Sequence, residues 1–140
     1  MAFIVSATPE QLNARSRNTL VEHLGIVLTE VGEDWLRGTM PVDARTLQPA
    51  GLLHGGASVV LAETLGSVAG NLCLDNTRQM AVGLEINANH LRAVRSGVVT
   101  GTARPVHIGR NTHVWEIRIE NEAGKPTCIS RITLAIVPAG

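Results

Sequence analysis

The sequence predicts an α+β domain in which one antiparallel sheet curves around a single long helix. Three observations carry that prediction. A run of about five helical turns, Gly55 to Leu74, is apolar almost all round and should be buried on most of its sides. Four period-two segments follow it, joined by short turns that favour antiparallel pairing. Two more strand-like segments precede it, so one helix must serve the whole sheet.

The elements follow in order. Thr8-Pro9-Glu10-Gln11 reads as a helix start, with Thr8 as N-cap, Pro9 at the first helical position and Gln11 three residues after the cap. That helical segment is expected to continue through Leu20 and Leu24 to a stop near Gly25. Ile26 to Val31 reads as a strand, Gly32-Glu33-Asp34 as a turn, and Trp35 to Val42 as the hairpin partner. Residues 43–54 make an irregular linker with Pro49 and Gly51. After the long helix the candidate strands are Met80 to His90, Val98 to His107, Thr112 to Asn121 and Lys125 to Val137. Trp115, Ile117 and Ile119 share one face, as do Ile132, Leu134 and Ile136; His113 is expected to face solvent.

Composition limits the function. A chain of 140 residues suits one domain spanning 1–140. Apolar residues at 44% and charged residues at 17% exclude a disordered chain. Twelve basic against twelve acidic residues give no net charge, and the aromatics are only Phe3, Trp35 and Trp115. General nucleic-acid binding, which needs a basic excess or stacking platforms, is therefore not expected. Cys73 and Cys128 lie far apart in apolar runs, form no CxxC, and read as buried small hydrophobes. The segment Met1 to Ser6 is too short for a signal-peptide core, and Glu63 interrupts the long apolar run that could otherwise suggest a membrane span. The expectation is a cytoplasmic protein without a membrane partner.

Two features of the stretch from Gln48 to Ser67 are costly unless used. Glu63 stands mid-way along an apolar helix with no Lys or Arg within a turn. Such a carboxylate is either hydrogen-bonded structurally across an interface or placed for chemistry. His54-Gly55-Gly56 opens the same helix, where unpaired N–H groups and the positive dipole end suit a developing oxyanion. The glycine pair also fits a plain tight turn. Gln48 and His54 add polar groups nearby.

Eight residues separate Gly55 from Glu63, a helical rise of about 12 Å. One chain therefore does not assemble a site from both. Two copies of the helix packed antiparallel about a two-fold axis would bring them together, and Ala62, Gly66, Ser67, Ala69 and Gly70 are small enough to permit close approach. Ser67, one turn beyond Glu63, either orients the carboxylate or a water, or is simply small.

The runs Met40-Pro41-Val42-Asp43, Gly51-Leu52-Leu53-His54-Gly55-Gly56-Ala57 and Glu63, with Gly83-Leu84-Glu85-Ile86-Asn87-Ala88-Asn89-His90, resemble the hotdog-fold thioesterases. The resemblance covers nearly the whole chain. It points to the branch holding the Arthrobacter-type 4-hydroxybenzoyl-CoA thioesterase, 1,4-dihydroxy-2-naphthoyl-CoA hydrolase and the enterobactin proofreading thioesterase. It implies hydrolysis of an acyl-CoA thioester, with an aromatic acyl preference, by a homodimer or a dimer of dimers with interface sites. Glu63 matches the catalytic carboxylate, as nucleophile or general base, and the Gly55 N–H matches the group that polarises the carbonyl. Gln48, His54 and Ser67 match supporting positions. No metal or other cofactor is implied.

Coenzyme A brings phosphates, which guanidinium forks suit. His90, Arg92, Arg95, His107 and Arg110 cluster in sequence at strand ends and turns, and with Gly83 they form the expected CoA-binding set; solvated turn charges are the alternative. Val68 is expected to line the acyl pocket. Two rival functions stand beside the first: a thioesterase acting on a carrier-protein thioester, and a non-catalytic acyl-CoA-binding module. Glu63 argues against the second.

Overall fold

In a computed structural model, residues 2–140 are described. The chain folds as α1 (Pro9–Arg15), α2 (Leu20–His23), β1 (Val27–Val31), β2 (Leu36–Pro41), α3 (Gly55–Leu72), β3 (Gln79–His90), β4 (Val98–Ile108), β5 (Thr112–Glu120) and β6 (Pro126–Pro138). The strands form one antiparallel sheet in the order β1-β2-β4-β5-β6-β3. α3 packs against β2, β4, β5, β6 and β3. A cylinder about 10 Å wide touches five strands spaced about 4.8 Å apart only if the sheet bends around it. This is the hotdog arrangement. No helix among the described residues is long and apolar enough to cross a membrane.

Local chemistry explains the elements. Thr8 and Gln11 form a capping box: the Gln11 N–H donates to Thr8 Oγ1 at 3.2 Å, and the Thr8 N–H donates to Gln11 Oε1 at 2.9 Å. The helix does not run on to Gly25 as the sequence suggests. It breaks after Arg15, because Asn18 adopts φ 62° and extended Thr19 starts a separate four-residue turn. Asparagine tolerates the left-handed region better than other residues with a side chain, so the polar stretch 16–19 ends the first helix cheaply. Along β2 and β5, buried and more open positions alternate, with Leu36, Gly38, Met40, His113, Trp115, Ile117 and Ile119 facing the core. His113 is thus buried at 1% exposure, not solvent-facing, because it falls in phase with Trp115.

The small residues of α3 serve the sheet. A methyl added to Gly66 would meet Ile132 Cγ2 at 2.5 Å, and one on Gly70 would run into Leu134 Cδ1. Ala62 and Ala69 are fully buried. Four of the five small residues expected to let a second helix approach thus let this helix sit down on its own sheet. The opposite stripe, Val60, Glu63, Thr64, Ser67, Val68 and Asn71, stays half-buried or exposed, although most of the helix is apolar. Those positions recur at the spacing of a single helical face. The helix is therefore covered on fewer sides than its composition suggests, because the sheet reaches only one flank.

Candidate active site

The segment 43–54 is irregular but tightly held, and it carries two candidate site residues, Gln48 and His54. The Thr46 hydroxyl donates to the Pro41 carbonyl at 2.7 Å, the His54 N–H to the Thr46 carbonyl at 2.8 Å, and the Leu53 N–H to the Val94 carbonyl at 2.7 Å. The Gln48 N–H donates to the Leu52 carbonyl at 2.8 Å. Gln48 Oε1 accepts from the Ala50 N–H, which leaves the amide NH2 group as the outward donor.

His54 is the N-cap of α3, extended at φ −66° and ψ 130°. Its Nδ1 accepts from the Gly56 N–H at 2.8 Å, so the neutral ring carries its proton on Nε2. The Ala57 and Ser58 N–H groups donate to the His54 carbonyl at 3.0 and 3.3 Å. The Gly55 N–H alone in this first turn has no acceptor among the described residues. It opens on a cleft of about 380 Å³ lined in part by Gln48, Leu53, Ser58, His90 and Arg92. His90, the last residue of β3, lies against Gly55 so closely that a methyl there would stand 3.0 Å from its Nε2. Arg92 Nη1 donates to the Pro126 carbonyl at 2.8 Å, which anchors its guanidinium at the cleft wall.

Glu63 lies two turns further along α3 and is exposed. The ion pairs among the described residues, Arg37–Glu30, Arg45–Asp43, Arg118–Glu120 and Arg131–Glu116, leave it out. Its Oε2 rests over Gly83 of β3, 2.8 Å from where a Cβ would stand. Ser67 and Val68 are half-buried on the same open stripe. Gly83 thus lies beneath the carboxylate, whereas His90 and Arg92 lie at the start of the helix.

The basic residues do not form one cluster. His90 pairs with Cys128 at the start of β6, and Arg92 and Arg95 follow it. His107 pairs with Val114, which pairs with Thr133, past the midpoint of β6. Five residues of strand, about 17 Å, plus three strand spacings separate the two groups. Arg110, in the turn after β4, lies further still. Within one chain, the expected CoA-binding set is split between opposite ends of the sheet. Ser58 and Thr127, which also line the cleft, carried no signal beyond Ser58 lying three residues from Gly55 on a helix.

Comparison with known proteins places this geometry in context. Residues 50–128 match the thioesterase superfamily. The 1,4-dihydroxy-2-naphthoyl-CoA hydrolase of Escherichia coli (strain K12) is 54% identical over 130 residues, covering 93% of this chain and 95% of that protein. The proofreading thioesterase EntH of Cronobacter sakazakii is 56% identical over 130 residues, covering 93% of this chain and 94% of that protein. A crystal structure of a thioesterase from Haemophilus influenzae superposes with a TM-score of 0.96 at 53% identity, over 99% of this chain and 96% of that one.

Proposed function

The chain belongs to the thioesterase superfamily, and from that premise we propose that it hydrolyses the thioester of an aromatic acyl-CoA at a site shared by two copies of itself. One observation carries the proposal. A free Gly55 N–H opens on a cleft that also holds Gln48, His90 and Arg92, while an exposed, unpaired Glu63 stands on the same helix about 12 Å away, too far to serve that cleft in its own chain. β3 supports a two-fold partner: it is twelve residues long, lies at the sheet edge, and exposes Met80 and Leu84. A pairing that sets the two α3 helices antiparallel covers the open stripe and brings Glu63 of the partner subunit to the cleft. Two such dimers make the tetramer.

In this site the thioester oxygen accepts from the Gly55 N–H, whose donor strength is raised by the α3 dipole. The Gln48 amide and the His54 Nε2–H supply further donors. Glu63 of the partner subunit either takes a proton from water or attacks the carbonyl carbon itself. In the first case the water oxygen bonds to carbon, the C–S bond breaks, and the thiolate receives the proton. In the second the carboxylate oxygen bonds to carbon, the C–S bond breaks and the thiolate leaves, giving an anhydride that water then hydrolyses to the free acid and the Glu63 carboxylate. Ser67 orients the carboxylate or the water, and Val68 lines the acyl group. His90, Arg92 and Arg95 bind CoA phosphates; His107 and Arg110 reach them only from a second chain. The aromatic preference is supported by the naphthoyl-CoA hydrolase relative. A CoA-linked substrate and two unpaired cysteines fit a cytoplasmic location.

A carrier-protein thioester is the second reading, supported by the proofreading relative. Thiol release from benzoyl-CoA, an aliphatic acyl-CoA and an aryl carrier-protein thioester separates the two. Glu63→Gln should lower turnover by roughly 10²–10⁴-fold on the preferred substrate without changing oligomer size. Near-normal thiol release by that variant overturns the proposal.

A further inference from the structure

We propose that Gly83 is a positioning residue: its missing side chain, beside a bulge in β3, leaves the seat in which the Glu63 carboxylate rests. The inference builds on Glu63 being the reacting carboxylate. No ion pair among the described residues holds that side chain, so available space decides where it lies. A Cβ on Gly83 would stand 2.8 Å from Glu63 Oε2, and its next neighbours, Glu63 Cδ and Ile132 Cδ1, would lie at an ordinary 3.9 Å. The carboxylate oxygen alone occupies the space a side chain would need.

The surrounding backbone is built to hold this seat. The β3–β6 ladder shifts register between Gly83 and Glu85, which turns Leu84 outward at 63% exposure. A bulge of this kind re-aims the residues around it. Asn71 fixes the distance from helix to strand. Its Oδ1 accepts from the Ala81 N–H at 2.9 Å, and its Nδ2 donates to the Ala81 carbonyl at 3.2 Å and the Ser67 carbonyl at 2.9 Å. These bonds tie the strand, two residues before Gly83, to the helix two turns after Glu63. β3 has no outer neighbour in the chain, so this side-chain bridge stands in for part of a missing ladder.

Alanine at position 83 meets no backbone strain, since Gly83 is not among the positive-φ residues. It would push the carboxylate aside and leave the cleft at Gly55 untouched. A displacement on the order of 1 Å costs up to about 10²-fold in rate. The test is steady-state hydrolysis of benzoyl-CoA by wild type, Gly83→Ala, Glu63→Asp, the double variant and Glu63→Gln. Gly83→Ala should lower kcat by roughly 10–100-fold with KM nearly unchanged. In the Glu63→Asp background, where the side chain is one methylene shorter, the same change should cost much less. An unchanged kcat overturns the seat, and so does an equal loss in both backgrounds. A raised KM at constant kcat also overturns it, since residue 83 would then touch CoA. If Glu63→Gln is inactive while Gly83→Ala is normal, the seat alone fails. If Glu63→Gln keeps its turnover, the carboxylate assignment fails and the seat with it.

Discussion

His113 sits on the inner face of β5, where its Nδ1 accepts from the Trp115 indole N–H at 3.3 Å. Burial, and secondarily the His107 ring, hold its pKa below the ordinary histidine value of 6.5. The unfolded chain therefore takes up a proton at a pH where the folded chain does not, and stability rises with pH across that interval. The contribution is complete above about 6.5 and is lost as pH falls through the window between that value and the folded pKa. Asp43 and Asp75, held below the usual carboxylate value of 3.8 mainly by hydrogen bonds from Arg45 and Thr77, lose their contributions only at far lower pH. Urea midpoints measured from neutral pH down to about 5 should thus fall for the wild type. They should fall less for His113→Gln, and parallel curves would remove His113 from the account.

At the scale of elements, α3 depends on having no side chain where it meets β6. Ile132 is fully buried and stiff at χ1, so it cannot yield to a methyl on Gly66 at 2.5 Å. Overpacking costs about 1–3 kcal/mol, and the helix propensity gained by alanine returns at most about 1. Gly66→Ala should therefore lower the melting temperature, and a rise would show that the helix–sheet spacing is softer than this packing implies. The same contact explains what could be read in advance. The capping box at Thr8 and Gln11 and the alternation in β5 are local patterns, and both were legible in the sequence. The small residues of α3 were ambiguous, because glycine and alanine suit a neighbouring helix and an underlying sheet equally well. The break at Asn18 was hidden because leucines continue a helical spacing across it.

For the whole molecule, strand order decided what remained hidden. β3 follows the helix in sequence but joins the far edge of the sheet beside the last strand, β6. That long-range pairing sends His107 and Arg110 to the end opposite His90 and Arg92, although all four lie within twenty-one consecutive positions. It also puts Gly83 beneath Glu63, a contact no local spacing encodes. The separation of Glu63 from Gly55, by contrast, followed from helical rise alone. If these two groups act across a subunit boundary, as proposed, two variants that are each inactive should complement one another when mixed. Gly55→Pro removes the free N–H yet suits the first helical position, since His54 is already extended. Glu63→Gln removes the carboxylate. Each alone should be nearly inactive. Unfolded together and refolded as an equal mixture, they should recover about a quarter of wild-type turnover, because half of randomly assorted dimers are hybrids with one intact site each. A mixture that never exceeds the sum of its two parents would place both groups in a single chain and overturn the shared site.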